Sequence, residues 1–347
     1  MKMEVKVLDL FSGAGGFSKG IEMAGYTITK HYFSEIDKHA IANYLYNFKN
    51  AEYYGTVTDV QGRRNEVDII TFGSPCQDFS LAGKRKGMEG ERSSLIREAI
   101  RLIDEIRPSI FVWENVKGTF SSNNGADFWG IISAFANIGG YRLEWQLLNT
   151  SWFLPQNRER IYLIGHLAER SERGVFPIGE EDEINYERKG YEEANQGVIG
   201  YSRDSKGKIL NYHKKNIANT LHSSSGSGGN TDQYVYNNKA LNKTIKENNL
   251  KQGEVKALDL YNHKARDISP TLKEPHHNDL RLYDGLHIRR LTEIECERLQ
   301  GFPDDWTKYG IYDGKVKEIP RTQRYKLMGN AVTTEVVAEI FRRINLK

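Results

Sequence analysis

Cysteine is almost absent from this chain of 347 residues: there are two, Cys76 and Cys296, far apart. That scarcity excludes a disulfide framework and leaves no zinc-type spacing, so each thiol is read alone and no metal is expected. Long hydrophobic runs are missing too. No apolar stretch is long enough to cross a bilayer, and Met1-Lys2-Met3-Glu4 lacks the core of a signal peptide, so a cytoplasmic chain with no membrane partner is expected. A dominant charge is also lacking: 49 Lys+Arg against 46 Asp+Glu leave +3, too little to argue by itself for a polyanionic partner. Its distribution says more. Residues 201–290 hold 16 Lys/Arg against 9 Asp/Glu, a net of +7, and six of the nine histidines. A positive segment within a near-neutral chain is what phosphate neutralisation requires, although a solvated polar surface gives a similar count.

A chain of this length predicts one large α/β unit plus a smaller second domain. In the first half, short β-branched or aromatic runs alternate with amphipathic stretches, the pattern of a doubly wound, mostly parallel sheet wrapped by helices. Val5–Leu10, Ile28–Glu35, Val67–Gly73, Ser109–Glu114, Tyr141–Asn149 and Arg160–Ile164 are the expected strands. Leu95, Ile96, Ala99, Ile100, Ile103 and Ile106 fall at helical spacing after Ser93-Ser94, with Pro108 as a stop signal. Near residue 175 the texture changes, with seven acids and two bases in Glu180–Glu193, and no clear period follows until about residue 286. The expected layout is a sheet domain over 1–178, a second domain over 179–287, a hinge segment over 288–320, and a return to the first domain over 321–347. Thr292-Glu293-Ile294-Glu295 is a capping box opening a short helix that Gly301 and Pro303 close, and a last helix is expected from about Thr333 to Ile344.

Three strand ends carry chemistry. Val5–Leu10 runs into Phe11-Ser12-Gly13-Ala14-Gly15-Gly16 and then a helix, a turn that lets backbone approach a nucleotide. Glu35 ends the next strand about twenty residues on, where an acid accepts ribose hydroxyls. The pair predicts an adenosine-containing cofactor and leaves NAD and S-adenosylmethionine both open. Cys76 follows Asp68-Ile69-Ile70-Thr71-Phe72 in the turn Gly73-Ser74-Pro75-Cys76-Gln77, at the carboxyl edge where open sheets bind ligands. A thiolate there is a candidate nucleophile. Cys296, inside the capped helix, reads instead as a small buried hydrophobe. Glu114 ends Ile110-Phe111-Val112-Trp113 at the same edge and could donate a proton to a substrate attacked by Cys76. In Gln156-Asn157-Arg158-Glu159-Arg160 the two arginines are expected to diverge to opposite faces, so that only one meets a substrate.

With these motifs in place, the chain resembles DNA (cytosine-5) methyltransferases of bacterial or phage type, in order and through most of its length. Asp9–Gly16 is similar to the family's cofactor motif, Gly73–Ser80 to its nucleophile loop, Glu114-Asn115-Val116 to its acid motif and Gln156–Arg160 to its arginine motif. Arg289–Pro303 resembles the segment beside the recognition domain, and Gly329-Asn330-Ala331-Val332 the C-terminal motif. The resemblance implies a Rossmann-like methyltransferase sheet with a smaller DNA-recognition domain, S-adenosylmethionine as donor, S-adenosylhomocysteine as product and double-stranded DNA as partner. A flipped-out cytosine is implied as target, with Cys76 attacking carbon 6, Glu114 acting on ring N3, Arg160 holding O2 and Arg158 supporting the loop. The cofactor is expected against Phe11, Gly13, Gly15 and Gly16, with Glu35 on the ribose, Ile36 beside the adenine, and Asp59 with Val60 at the adenine amino group. Pro75 and Leu95 flank it, and Asn330 and Val332 arrive from the C-terminus. Ile36 departs from the aromatic residue usual there and weakens any stacking. Gln77, Ser80, Lys214, Lys215, Thr220 and Thr271 are the expected DNA contacts. The chain is expected to act as a monomer, in restriction-modification or phage and host DNA protection; a cognate restriction endonuclease is left open.

A tRNA cytosine-5 methyltransferase shares the Pro-Cys-Gln and Glu-Asn-Val motifs, and the long basic insert favours DNA over it. A catalytically silent DNA-binding regulator would be expected to have lost Cys76, Glu114 or the cofactor glycines, and a nicotinamide-dependent oxidoreductase explains only the glycine turn and Glu35. Within the variable segment, Asn211–Leu221 and Asn262–Leu272 align without gaps at an offset of 51, sharing Asn, Ile, Thr and Leu. Two related DNA-facing loops are predicted. Substituting Thr220 and Thr271 separately should each weaken DNA binding or shift site preference; if either change leaves both unaltered, the paired-loop idea loses its support.

Overall fold

In the computed structural model the residues described are 3–73, 93–172, 174–179 and 291–347, with the backbone of seven short strands between 200 and 289. The expected β-runs in the first half become a seven-stranded sheet: β1 (Glu4–Leu10), β2 (Thr27–Ser34), β3 (Ala51–Tyr53), β4 (Ile69–Gly73), β5 (Ile110–Val116), β6 (Tyr141–Asn149) and, after the two-residue β7 (Gln156–Asn157), β8 (Glu159–Leu167). Their spatial order is β3-β2-β1-β4-β5-β8-β6. The first five are parallel, while β8 runs antiparallel to both β5 and β6. β1 is flanked by β2 and β4, which makes its carboxyl end the switch point where such sheets bind ligands.

Helices cover both faces, which is why β4 and β5 are almost entirely buried rather than alternating. Alternate residues divide between two cores. Leu8, Leu10, Ile70, Phe72, Phe111 and Trp113 pack beneath α3 (Ser93–Ile106) and α4 (Ala126–Asn137). Val5, Val7, Ile69, Ile110 and Val112 pack on the opposite face, with α1 (Gly16–Met23) and the last helix of the chain, Thr334–Arg343. A helix unmarked by any clear period, α2 (Lys38–Asn47), is capped by Asp37, which accepts the His39 and Ala40 amides, and brings Tyr44 against Phe33. The capping box forms as expected: Thr292 accepts the Glu295 amide at the start of α5 (Glu293–Leu299), which buries Cys296. Two further helices, α6 (Arg321–Asn330) and α7 (Thr334–Arg343), follow a hairpin of Tyr309–Tyr312 with Lys315–Glu318 that rests on α2.

The chain is held where it leaves the sheet. Ser171–Glu172 (β9) pairs with Asn345–Leu346. The Glu144 carboxylate accepts the Gly174, Val175 and Phe176 amides at 3.2, 3.2 and 3.4 Å, and Gln146 bonds both the amide and the carbonyl of Ile178. Between residues 200 and 289, Gly200–Arg203 pairs with Ile209–His213, and Val255–Asp259, Lys264–Arg266, Leu280–Asp284 and Ile288–Arg289 form a four-stranded antiparallel sheet. Most of the 51-residue echo lies outside the described residues, as do Lys214, Lys215, Thr220 and Thr271. Among described helices none is long and apolar enough to cross a membrane.

The β5–β8 contact leaves no room at Gly165, where an added Cβ would stand 2.0 Å from Phe111 Cε1. Gly165→Ala should therefore cost about 3 kcal/mol in urea denaturation, as overpacking of a rigid core does. Gly118→Ala, whose Cβ would meet only ordinary contact at 3.8 Å, should change the midpoint little.

Candidate active site at the carboxyl edge of the sheet

After Leu10 the chain turns through Phe11 (φ 52), Gly13 (φ 53) and Gly15 (φ 80) in left-handed backbone, which glycine adopts without strain and phenylalanine does not. Gly15 lies against α2: a Cβ there would sit 2.4 Å from Phe48 Cε2 and 3.1 Å from Tyr44 Cε2. Gly16 lies against the C-terminal motif, where a Cβ would come 2.8 Å from the Val332 carbonyl. On Gly13 the space is open, with nothing within 4 Å of the Cβ position. Glu35 closes the other side: Oε2 accepts the Gly13 amide at 2.9 Å, and Oε1 the Ile36 and Asp37 amides at 2.7 and 3.0 Å. Ile36 beside it is 78% exposed. Open glycine backbone, a strand-end carboxylate and an exposed apolar side chain fit an adenosine-bearing group.

The remaining expected cofactor residues divide. Asp59 is solvent-exposed and accepts both the Thr56 amide and hydroxyl, at 3.1 and 2.7 Å, bonds that lower its pKa. Val60 points its side chain into the core, as Leu95 does in part. Val332 is buried against the glycine turn, and Asn330, exposed, ends α6. Pro75, Cys76, Gln77 and Ser80 lie outside the described residues. One contributor had no role assigned from sequence: the Trp306 indole donates to the Ala14 carbonyl at 2.9 Å and packs against Phe48 and Phe302. Its only signal was an aromatic residue just beyond Gly301-Phe302-Pro303.

Two strands away, Gly73 is in register with Glu114. A Cβ on Gly73 would stand 3.1 Å from Glu114 Oε2, so the chain leaves β4 along the acid itself. Glu114 is 9% exposed. Its Oε1 lies 2.9 Å from Arg160 Nε but is not met by a well-aimed hydrogen bond, so the contact is chiefly an ion pair. Arg158 is buried and donates to the Ala331 carbonyl at 2.8 Å and more distantly to that of Gly329, at 3.5 Å. Burial pushes its pKa down to about 9, Arg160 lowers it further and Glu114 opposes, so it remains a cation at neutral pH. The expected divergence of the two arginines is not what the structure shows. Arg158 lies in the break between β7 and β8, and both guanidiniums act on Glu114. They differ in depth, Arg158 holding backbone and Arg160 standing at the acid.

The C-terminal motif is laced to this edge by more than Arg158. Gln300 donates to the Met328 carbonyl at 2.8 Å and accepts from Thr333 at 3.0 Å, Thr333 meets Thr150 at 2.8 Å, and Gln156 donates to the Leu299 carbonyl at 2.6 Å. Among the described residues no group of three His, Cys, Asp or Glu side chains could hold a metal ion.

A family model described as C-5 cytosine-specific DNA methylase matches residues 5–346. The chain is similar to the orphan methyltransferase M.SPRI of Bacillus phage SPR, at 27% identity over 98% of this chain and 97% of that one. It is similar also to the type II methyltransferase M.Bsp6I of Bacillus sp. (strain RFL6), at 28% identity over 98% of each. In fold it resembles a DNA modification methyltransferase encoded within an E. coli prophage, with a TM-score of 0.60 and 22% identity over 98% of both chains.

Replacing Arg158 by Met leaves the Ala331 and Gly329 carbonyls without this donor inside the protein. Arg158→Met should lower unfolding stability by roughly 3 kcal/mol, read from the denaturant midpoint.

Proposed function

The chain belongs to the C-5 cytosine-specific DNA methylase family, and from that premise we propose that it methylates carbon 5 of a cytosine rotated out of duplex DNA, through a covalent adduct on Cys76. The observation that carries this reading is the meeting of Gly73 with Glu114 and Arg160 at one sheet edge. Cys76 is only three residues beyond Gly73, which bounds its distance from that edge at about 11 Å along the chain.

In the proposed sequence the Cys76 thiolate adds to carbon 6, a carbon–sulfur bond forming as the carbon 5–carbon 6 double bond opens toward the ring. Glu114 hydrogen-bonds or protonates ring N3 as electron density arrives there, and Arg160, charged and adjacent, holds O2. Carbon 5 thereby becomes nucleophilic. S-adenosylmethionine, when bound, supplies an electrophilic methyl group on its sulfonium. Phe11, Gly13, Gly15, Gly16, Glu35 and Ile36 would hold it, with Asp59, Leu95, Pro75, Asn330 and Val332 around them. Loss of the carbon 5 proton to a base then reforms the double bond and expels the Cys76 thiolate.

The partner is double-stranded DNA, met by a monomer in the cytoplasm, and the variable segment over 179–287 reads its sequence. A backbone pairing supports this: Ala218–Asn219, within that segment, runs parallel to Gln156–Asn157 of the arginine motif. The biological role proposed is protection of phage or host DNA, with or without a cognate nuclease.

Base-resolution mapping of 5-methylcytosine in DNA from cells expressing the chain should reveal new methylation at one short sequence, lost in Cys76→Ser. Glu114→Gln should retain DNA binding and lower kcat roughly 10²- to 10⁴-fold. DNA carrying 5-fluorocytosine, whose carbon 5 cannot shed fluorine as a cation, should stay covalently attached to the wild type and not to Cys76→Ser. Wild-type expression without any new methylation would sink the reading.

A further inference from the structure

Behind the glycine turn lies a polar cluster that none of these steps uses. Asp9 on β1, Ser18 on α1, His31 on β2, Tyr44 on α2 and Thr71 on β4 are all fully buried. Thr71 Oγ1 donates to Asp9 Oδ1 at 2.9 Å, while Ser18 Oγ and Tyr44 Oη donate to Oδ2 at 3.2 and 3.0 Å. The two hydroxyls are 2.7 Å apart, and His31 Nε2 lies 2.9 Å from Ser18 Oγ and 2.7 Å from Tyr44 Oη. Among the described residues, no lysine or arginine is one of the main influences on the carboxyl.

Five polar side chains cost more desolvation here than an apolar set of the same size. What the cluster reaches is the turn. The Tyr44 ring lies under Gly15, and its hydroxyl ends on Asp9, two residues before Phe11. Ser18 belongs to the opening of α1, which Gly15 precedes at φ 80. The same turn is thus gripped from its entry strand, its own helix and the neighbouring helix.

We propose that Asp9 and Tyr44 are positioning residues for S-adenosylmethionine: with Ser18, His31 and Thr71 they hold the Phe11–Gly16 turn in its binding shape without touching the ligand. The inference rests on reading that turn as the cofactor site. Burial pushes Asp9 up to about 7 against the lowering effect of its three hydroxyl partners, and Glu35 acts in the raising direction. Burial holds His31 down at about 4 and Tyr44 well above its ordinary value, so both stay neutral near pH 7. Ser18 and Thr71 do not titrate. Asp9 is then the member of the cluster whose charge changes near neutrality. The three hydroxyls favour the carboxylate and burial opposes it more strongly; ionised, Asp9 is a desolvated anion held by hydroxyls alone, and the seat of the turn loosens. Cofactor affinity should accordingly be full below the folded pKa and fall as pH rises through it.

Calorimetric titration with S-adenosylhomocysteine from about pH 6 to about pH 8.5, with thermal stability measured in parallel, tests this on the full chain. Tyr44→Phe should weaken binding about fivefold, the loss of roughly one hydrogen bond. It should raise KM for S-adenosylmethionine while leaving kcat within about twofold. Asp9→Asn, which mimics the neutral acid, should bind within about threefold of wild type at the lower pH and lose the decline seen at the higher. Ser18→Ala replaces Tyr44→Phe should that variant fail to fold, with the same expectation. Wild-type affinity and pH profile in these variants, or lowered thermal stability with affinity and KM unmoved, would overturn the inference. A wild-type chain that binds neither S-adenosylhomocysteine nor S-adenosylmethionine would overturn the cofactor reading itself, and the inference with it.

Discussion

The close approach of α1 to α7 is the constraint on which the rest of the molecule depends. A Cβ on Gly20 would stand 2.5 Å from the Val337 side chain and 2.9 Å from the Thr334 carbonyl, and one on Gly16 would meet Val332. A helix built with larger residues at those two positions would stand further off, and the C-terminal motif would no longer reach the turn that begins the chain's first crossover. Because it does reach, Ala331 and Gly329 present their carbonyls to Arg158, and the arginine motif, the segment around Gln300 and the first glycine turn share one side of the sheet. Packing of small residues sets the electrostatics here, since Arg158 stays buried only where backbone oxygens have been brought to it.

Arginine depth then sorts the two cations. Arg158 is desolvated and committed to backbone, whereas Arg160 remains partly open beside Glu114. An acid facing two guanidiniums and the glycine of a neighbouring strand is held chiefly by charge, its Oε1 lacking a well-aimed hydrogen bond. Antiparallel β8 makes the arrangement economical. Entering the sheet from the carboxyl edge, it delivers its first residues to the place where the parallel strands deliver their last.

Much of this was legible in residue pattern. Strand ends at Leu10 and Gly73 follow from buried runs broken by glycine or polar residues, whereas the strand expected to end at Glu114 runs on to Val116; Thr292-Glu293-Ile294-Glu295 announces its helix through side-chain capping. Boundaries moved by one to three residues, as with β8, which begins at Glu159 and ends at Leu167 beyond the expected Arg160–Ile164. The reversal of β8 was not legible, because a strand buried on both faces reads the same in either direction. α2 and the Tyr309–Glu318 hairpin escaped because they rest on each other with few buried apolar positions, Lys315–Glu318 being exposed throughout, so neither carries a strong period of its own. The error over the two arginines was one of geometry: alternation along a strand puts residues two apart on the same side, and Arg158 lies in the break between β7 and β8.

The anchoring of the chain at Ser171–Ile178 has a consequence for how such a protein can change over time. One end of the long variable stretch is fixed to the sheet by β9, Glu144 and Gln146, and the other by Leu291, whose carbonyl accepts the Tyr325 hydroxyl at 2.6 Å. Closing a loop between fixed ends grows costlier only with the logarithm of its length. Lengthening, shortening or exchanging the stretch between those anchors therefore transmits little strain to the sheet that holds Glu114 and Arg160.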